Sequence, residues 1–310
     1  MSDVTKLIID TDPGIDDAMA IFYAAAAADI ELLGLTTIFG NVTTEIATRN
    51  ALRLLEAADL AEVPVAAGAK APLKLPPFPP SSEVHGDEGF GDIPAATPAG
   101  KAVDEDAADF LIRMAREHKG ELVVCPIGPL TNIAVAMERD AEFVHNVKSI
   151  VIMGGSLEEG GNITKFAEAN IYHDPHAADV VMTAGEKVTL VGLDVTHRIL
   201  CTPEDFTQIA ANSPELGGML QDMSHFYLAF YLKVAGLEGC SLHDPAAVIA
   251  CTHPEHFETR SLAMKVICEG EEIGATVAAP DSGRKPVNVC MKVAADTVKA
   301  LFLKRLALLP

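Results

Sequence analysis

Asp10-Thr11-Asp12-Pro13-Gly14-Ile15-Asp16-Asp17-Ala18 follows directly on the apolar run Leu7-Ile8-Ile9 and leads into an alanine-rich stretch that ends at Ala28. The apolar run reads as a short buried strand, and the alanine stretch as a helix that begins near Asp16. Four carboxylates therefore fall within eight residues, at the carboxyl end of a strand. Like charges this close repel one another and stay ionised only beside a cation or several hydrogen-bond donors. A helix N-terminus offsets part of the charge of Asp16 and Asp17. Capping accounts for one or two acids at a helix start, but not for four around a Pro-Gly turn. A hard divalent cation with oxygen ligands is the simplest occupant. An EF-hand does not fit, because the twelfth position counted from Asp10 is Ile21 and not Glu. A phosphatase built on strand-Asp-x-Asp needs positive charge around its phosphate, and this neighbourhood offers none.

Outward from this turn the chain alternates strand-like and helix-like stretches. Strands are expected at residues 32–38, 63–67, 122–127, 149–153 and 187–193, and helices at 45–58, 104–118, from 130 onward and at 175–184. Such alternation means βαβ units and a mostly parallel central sheet flanked by helices, a Rossmann-like open α/β sheet with ligands at the carboxyl ends of its strands. Residues 202–239 read as helical, 257–293 as strands joined by turns, and 294–306 as a closing helix. Two loops break the rhythm, residues 72–100 and 154–170, and loops this long in an α/β protein often carry function. No repeat, low-complexity linker or composition break divides the chain, so residues 1–310 are expected to form one domain.

The sequence has 310 residues, with 23 Lys+Arg against 44 Asp+Glu, a formal net charge of −21, and 49% hydrophobic residues. The charge argues against nucleic-acid backbones and anionic lipid surfaces and mildly favours cations. The apolar fraction excludes a disordered acidic tail. The longest apolar run, residues 18–28, is well short of the roughly 20 residues of a membrane span. The N-terminus lacks the pattern of a signal peptide, and the six cysteines contain no C-x-x-C pair. Reduced thiols and a cytoplasmic location are expected.

The nonapeptide at Asp10 resembles the N-terminal signature of the inosine-uridine-preferring nucleoside hydrolase family. The resemblance continues in order through Gly40-Asn41-Val42, Val84-His85-Gly86, Gly128-Pro129-Leu130-Thr131-Asn132, Met153-Gly154-Gly155, Gly161-Asn162, Phe166-Ala167-Glu168-Ala169-Asn170 and His243-Asp244-Pro245. It implies a calcium-dependent glycosidase, one Ca²⁺ per chain, that cleaves ribonucleosides to ribose and free base, and a homodimer or homotetramer.

By this resemblance Asp12 is general base and metal ligand, Asp17 and Asp244 are further ligands, and Ile127 supplies its backbone carbonyl. Asp10 braces the loop. Asp16, Asn41, Asn162, Glu168 and Asn170 match ribose contacts, as suits carboxylates and amides facing hydroxyls that both donate and accept. Met153 matches a residue under the sugar, and a methionine at a strand end equally serves a core. His243 is the candidate acid for the departing base, and His85, on a mobile loop, a contact to base or sugar. Tyr227 and Tyr231, four residues apart on a helix, form either an aromatic wall for the base or ordinary packing. The chemistry suits these types: glycoside cleavage passes through an oxocarbenium-like cation, a divalent ion lowers the pKa of bound water, and a carboxylate takes its proton. Two other readings stay open: a metal- and ribose-binding relative without turnover, and a hydrolase of another N-riboside such as nicotinamide riboside.

Overall fold

The computed structural model describes residues 4–309. Strand β1 (Thr5–Thr11) lies at the centre, hydrogen bonded in parallel to β2 (Ile30–Thr37) on one side and to β4 (Leu122–Pro126) on the other. β3 (Val65–Ala67), β5 (Ser149–Met153) and β6 (Val188–Val191) extend the sheet, and strands Val287–Val293 and Phe257–Leu262 complete its far edge. The strand order over β1 to β6 is 3-2-1-4-5-6, the doubly wound order. Within this eight-stranded sheet the outermost pair, Val287–Val293 with Phe257–Leu262, is the antiparallel one among the described residues. The central strands read as near-continuous apolar runs because helices cover both faces: Leu7, Ile8 and Ile9 are all fully buried.

The sheet separates two apolar layers. One packs helix α1 (Ile15–Ala25) and the C-terminal helix Ala295–Leu306 around Phe22, Tyr23 and Phe302, and the other centres on Phe110, Phe143 and Ile152. Helix α2 (Thr44–Ala57) begins at Thr43, whose side chain accepts from the Ile46 N–H.

Most elements begin and end within a few residues of their sequence-based limits, and the differences have local causes. Residues 202–239 form two helices, Pro203–Asn212 and Leu216–Ala235, because Pro214 cannot donate into a continuous helix. β6 stops at Val191, and Leu193–Thr196 coils into a single helical turn after Gly192. Within the loop 72–100, Ser82–His85 forms one helical turn, so His85 sits at a helix end.

The strand order reverses between β1 and β4, where their crossovers leave in opposite directions and open a crevice at the carboxyl ends. Asp10 pairs with Pro126 across this boundary, which brings the aspartate loop beside Ile127.

Candidate active site

Asp12, Asp16 and Asp17 leave the end of β1 on a turn held by the protein's own donors. Asp17 caps helix α1: its Oδ2 accepts from the Gly14 N–H (2.9 Å) and from Asn41 Nδ2 (3.1 Å), and its Oδ1 from Thr11 Oγ1 (2.5 Å) and the Asp12 N–H (3.2 Å). The Asn41 N–H donates to Asp12 Oδ2 at 2.6 Å. Glycine is required on both sides of this carboxylate. A Cβ at Gly40 would sit 2.0 Å from Asp12 Oδ2, and one at Gly128 2.5 Å from Asp12 Oδ1.

Asp244 joins this cluster from the start of helix Asp244–Thr252. Carboxylate oxygens of Asp16, Asp17 and Asp244 lie within 4.8 Å of one another. Asp12 Oδ1 and Asp16 Oδ1 are buried without a hydrogen-bond partner. Burial first, then the neighbouring Asp17, pushes the Asp12 carboxyl well above its usual range, while the Asn41 N–H pulls it down. Asp244 is pushed well up in the same way, by burial and then by Asp16, Asp17 and Asp12. Burial raises Asp16 to about 6. Among the described residues lining the cavity above there is no Lys or Arg. Hard oxygens, two of them orphaned, with no counter-charge, fit a divalent cation.

The ring of candidate sugar contacts is drawn from three strand ends, those of β1, β2 and β5. Glu168 caps helix Ala169–His173, its Oε1 accepting from the Asn170 N–H (2.9 Å) and its Oε2 from the Gly155 and Ile171 N–H groups (2.9 and 3.1 Å). Asn170 Nδ2 donates to the carbonyls of Ile127 (2.9 Å) and Met153 (3.2 Å), tying the ends of β4 and β5 together. Asn162 is exposed at the rim, its Oδ1 accepting from the Ala169 N–H.

Histidines and tyrosines form the opposite wall. His243 is hydrogen bonded at both ring nitrogens, Nδ1 to Thr196 Oγ1 (2.8 Å) and Nε2 to Tyr231 Oη (2.7 Å). Burial, helped by His197 and His85, lowers its pKa to about 3. The Ile15 N–H donates to His85 Nδ1 (3.1 Å), and burial lowers that ring to about 4. His85 is therefore neutral, and its 4.0 Å approach to Asp16 is not an ion pair. Tyr227 stacks on His85 with ring centroids 5.5 Å apart and donates to Asp16 Oδ2 (3.2 Å). Tyr231 meets Tyr227 edge-on at 5.0 Å.

These groups line one cavity of about 570 Å³. Asp16, Asn41, His85, Ile127, Met153, Asn162, Glu168, Asn170, Tyr227, Tyr231, His243 and Asp244 all border it, while Asp10, Asp12 and Asp17 lie buried beneath. Asp10 Oδ1 accepts from Thr36 Oγ1 (2.5 Å) and Asn132 Nδ2 (2.8 Å), and burial raises its carboxyl to about 7. Sequence reasoning gave no role to Thr196, Asn132 or His197. His197 borders the cavity with its ring edge-on to His243 at 5.6 Å. Asn132 lay inside a quoted motif, whereas Thr196 carries no local signal.

A carboxylate floor without a counter-charge, under a wall of amides and neutral rings, suits a metal-dependent hydrolase of an uncharged substrate rich in hydroxyl groups. The profile described as "Inosine-uridine preferring nucleoside hydrolase" matches residues 7–300. A probable uridine nucleosidase 1 of Oryza sativa subsp. japonica is 42% identical over 98% of this chain and 97% of its own length. The inosine-uridine preferring nucleoside hydrolase of Crithidia fasciculata is 35% identical over 88% of this chain and 87% of its own. Among solved structures, a plant nucleoside hydrolase superposes with a TM-score of 0.95 at 37% identity, covering 98% of this chain and 99% of that one. A purine-preferring ribonucleoside hydrolase from Gardnerella vaginalis gives 0.94 at 36% identity, covering 98% of each. The chain belongs to the inosine-uridine preferring nucleoside hydrolase family and is an N-glycosidase that hydrolyses ribonucleosides.

Proposed function

We propose that this enzyme cleaves the N-glycosidic bond of free ribonucleosides, uridine among them, with Asp12 as general base. The observation that carries the proposal is the buried, unpartnered Asp12 Oδ1 beside the oxygen cluster of Asp16, Asp17 and Asp244. Asp12, Asp17, Asp244 and the Ile127 carbonyl would hold one Ca²⁺, which when bound lowers the pKa of water and orients sugar hydroxyls. With its Oδ2 fixed by Asn41, Asp12 turns the free oxygen to the water and takes its proton.

Asp16, Asn41, Asn162, Glu168 and Asn170 orient the ribose, with Met153 beneath it. The negative field of the floor favours positive charge developing on the ring and disfavours a 5′-phosphate. Tyr227 and His85 border the base. Tyr231 and His243, sharing a proton across 2.7 Å, hydrogen bond the base as it departs. His243 relays to the departing base a proton that Tyr231 supplies and regains from solvent, so the ring ends the step neutral, as burial holds it in the free site.

The proposal extends to one catalytic unit spanning the chain, a homodimer or homotetramer, and a cytoplasmic location. Six free cysteines are in keeping with a reducing compartment, and no described helix is long and apolar enough to cross a membrane. Sedimentation and cell fractionation measure these two points. The decisive experiment is base release from uridine, inosine, cytidine, adenosine and guanosine, with and without chelator. Release that stops on chelation and returns with Ca²⁺ is expected. Full activity after chelation would overturn the metal assignment, and no release from any nucleoside would overturn the reading as a whole.

A further inference from the structure

Behind the aspartate loop, outside the cavity, lies a buried polar joint centred on Asn50. This residue sits on α2 with no solvent exposure. Its Nδ2 donates to the carbonyl of Pro13 (3.2 Å) and to that of Glu88 (2.8 Å). Its Oδ1 accepts from Arg49 Nη2 (3.0 Å) and Nε (3.3 Å). Both amide hydrogens and the carbonyl are thus engaged. Arg49 Nη1 also pairs with Glu88 Oε2 at 2.6 Å, which fixes the amide's orientation.

The two acceptors belong to the segments that build the site. Pro13 separates Asp12 from Asp16 and Asp17. Glu88 lies in the turn after His85, which is closed by the Gly91 N–H donating to the His85 carbonyl (2.8 Å). The segments approach so closely that a Cβ at Gly89 would sit 2.7 Å from the Pro13 oxygen and 2.8 Å from Asn50 Nδ2. One side chain therefore fastens the loop that bears the carboxylates to the turn that bears His85.

We propose that Asn50 is a positioning residue for nucleoside hydrolysis: by fixing Pro13 against Glu88 it sets the placement of Asp12, Asp16 and Asp17 relative to His85, and with it cation affinity and turnover. The inference rests on the reading that these carboxylates take a divalent cation. Partners of this kind, one bond removed from the groups that bind, typically change metal affinity or activity about 10–100-fold when lost.

The test compares wild type, Asn50→Ala, Asn50→Asp and Arg49→Met. Asn50→Asp keeps the size but sets a carboxylate against two carbonyls. Affinity is read by calorimetric titration of metal-free protein with Ca²⁺, kcat and KM on uridine, and folded fraction by circular dichroism at the assay temperature. Per folded molecule, both Asn50 variants should lose about 10–100-fold in Ca²⁺ affinity and kcat, with KM moving less than kcat. Arg49→Met, which leaves both Asn50 donors in place, should move in the same direction by a smaller factor. If the Asn50 variants do not fold, Arg49→Met alone decides. Variants that melt earlier yet keep Ca²⁺ affinity and kcat within twofold of wild type would show a purely structural amide and overturn the proposal. Wild type that itself binds no Ca²⁺ would instead overturn the cation reading beneath it.

Discussion

The Asn41 N–H holds Asp12 Oδ2 at 2.6 Å and leaves Asp12 Oδ1 as a buried oxygen without a partner. One oxygen is spent on placement and the other is kept for chemistry. In Asp12→Asn the hydrogen bond from Asn41 survives on the amide oxygen, while the basic site is lost. Turnover on uridine should fall about 10²–10⁴-fold with the melting temperature at or above that of wild type. Initial-rate assays and thermal melts measure both, and a loss of less than about tenfold would exclude a general-base role.

Asp244 separates the effect of the cation from that of the carboxylates. In metal-free protein Asp244 is a buried acid pushed well up by burial and by three neighbouring aspartates. Asp244→Asn removes that repulsion, so the chelated variant should melt at or above chelated wild type. Added Ca²⁺ should reverse the order. A ligand present at 100 times its Kd stabilises by about 2.7 kcal/mol, which the wild type gains and the variant largely forgoes. Equal Ca²⁺ shifts in the two proteins would remove Asp244 from the cation site.

The contact between His243 and Tyr231 predicts a dependence on the leaving group. His243→Ala should lose about 100-fold or more on uridine and less than about tenfold on p-nitrophenyl riboside, whose leaving group needs little help. Tyr231→Phe should show the same pattern with a smaller amplitude. Equal losses on both substrates would place these residues in binding and not in base departure.

His173 supplies a term in acid stability that lies apart from the site's chemistry. Its ring is buried beside Phe78 at 5.5 Å, with Nδ1 unpartnered, and burial lowers its pKa to about 4 from an ordinary 6.5. Between these values the unfolded chain takes up a proton that the folded protein refuses. Stability is therefore full above pH 6.5 and is lost as pH falls towards 4, by about 1.4 kcal/mol per pH unit and about 3 kcal/mol in all. His173→Phe should flatten this part of the curve, as measured by urea unfolding at pH 7, 6, 5 and 4.5. A parallel fall in both proteins would show that the ring takes up its proton while folded.

The alternation of strand-like and helix-like stretches along the chain marked a mostly parallel open sheet, and residues 7–9 with the acids after them marked the place of the candidate site, because a buried strand and a carboxylate-rich turn both leave local signals. The pairing of Thr196 with His243 did not show. These residues stand 47 positions apart, and a threonine in a helical turn is unremarkable until the fold sets it against a ring. The same holds for Asn50, whose donors act on two loops distant in sequence. The break between helices Pro203–Asn212 and Leu216–Ala235 does carry a local signal, Pro214, inside an otherwise helical stretch. The one-turn helix at Ser82–His85 is too short for periodicity to reveal.

The carboxylates that come within 4.8 Å of one another are contributed by residues 16, 17 and 244, so most of the chain must be in place before they meet. A nascent chain that has not yet reached Asp244 can pair β1 with β4 but presents only an open, partial set of oxygens. Capture of a divalent ion is thereby made a late event that registers complete folding. A chain cut short before this helix would lack Asp244 and would keep only the N-terminal part of the oxygen cluster.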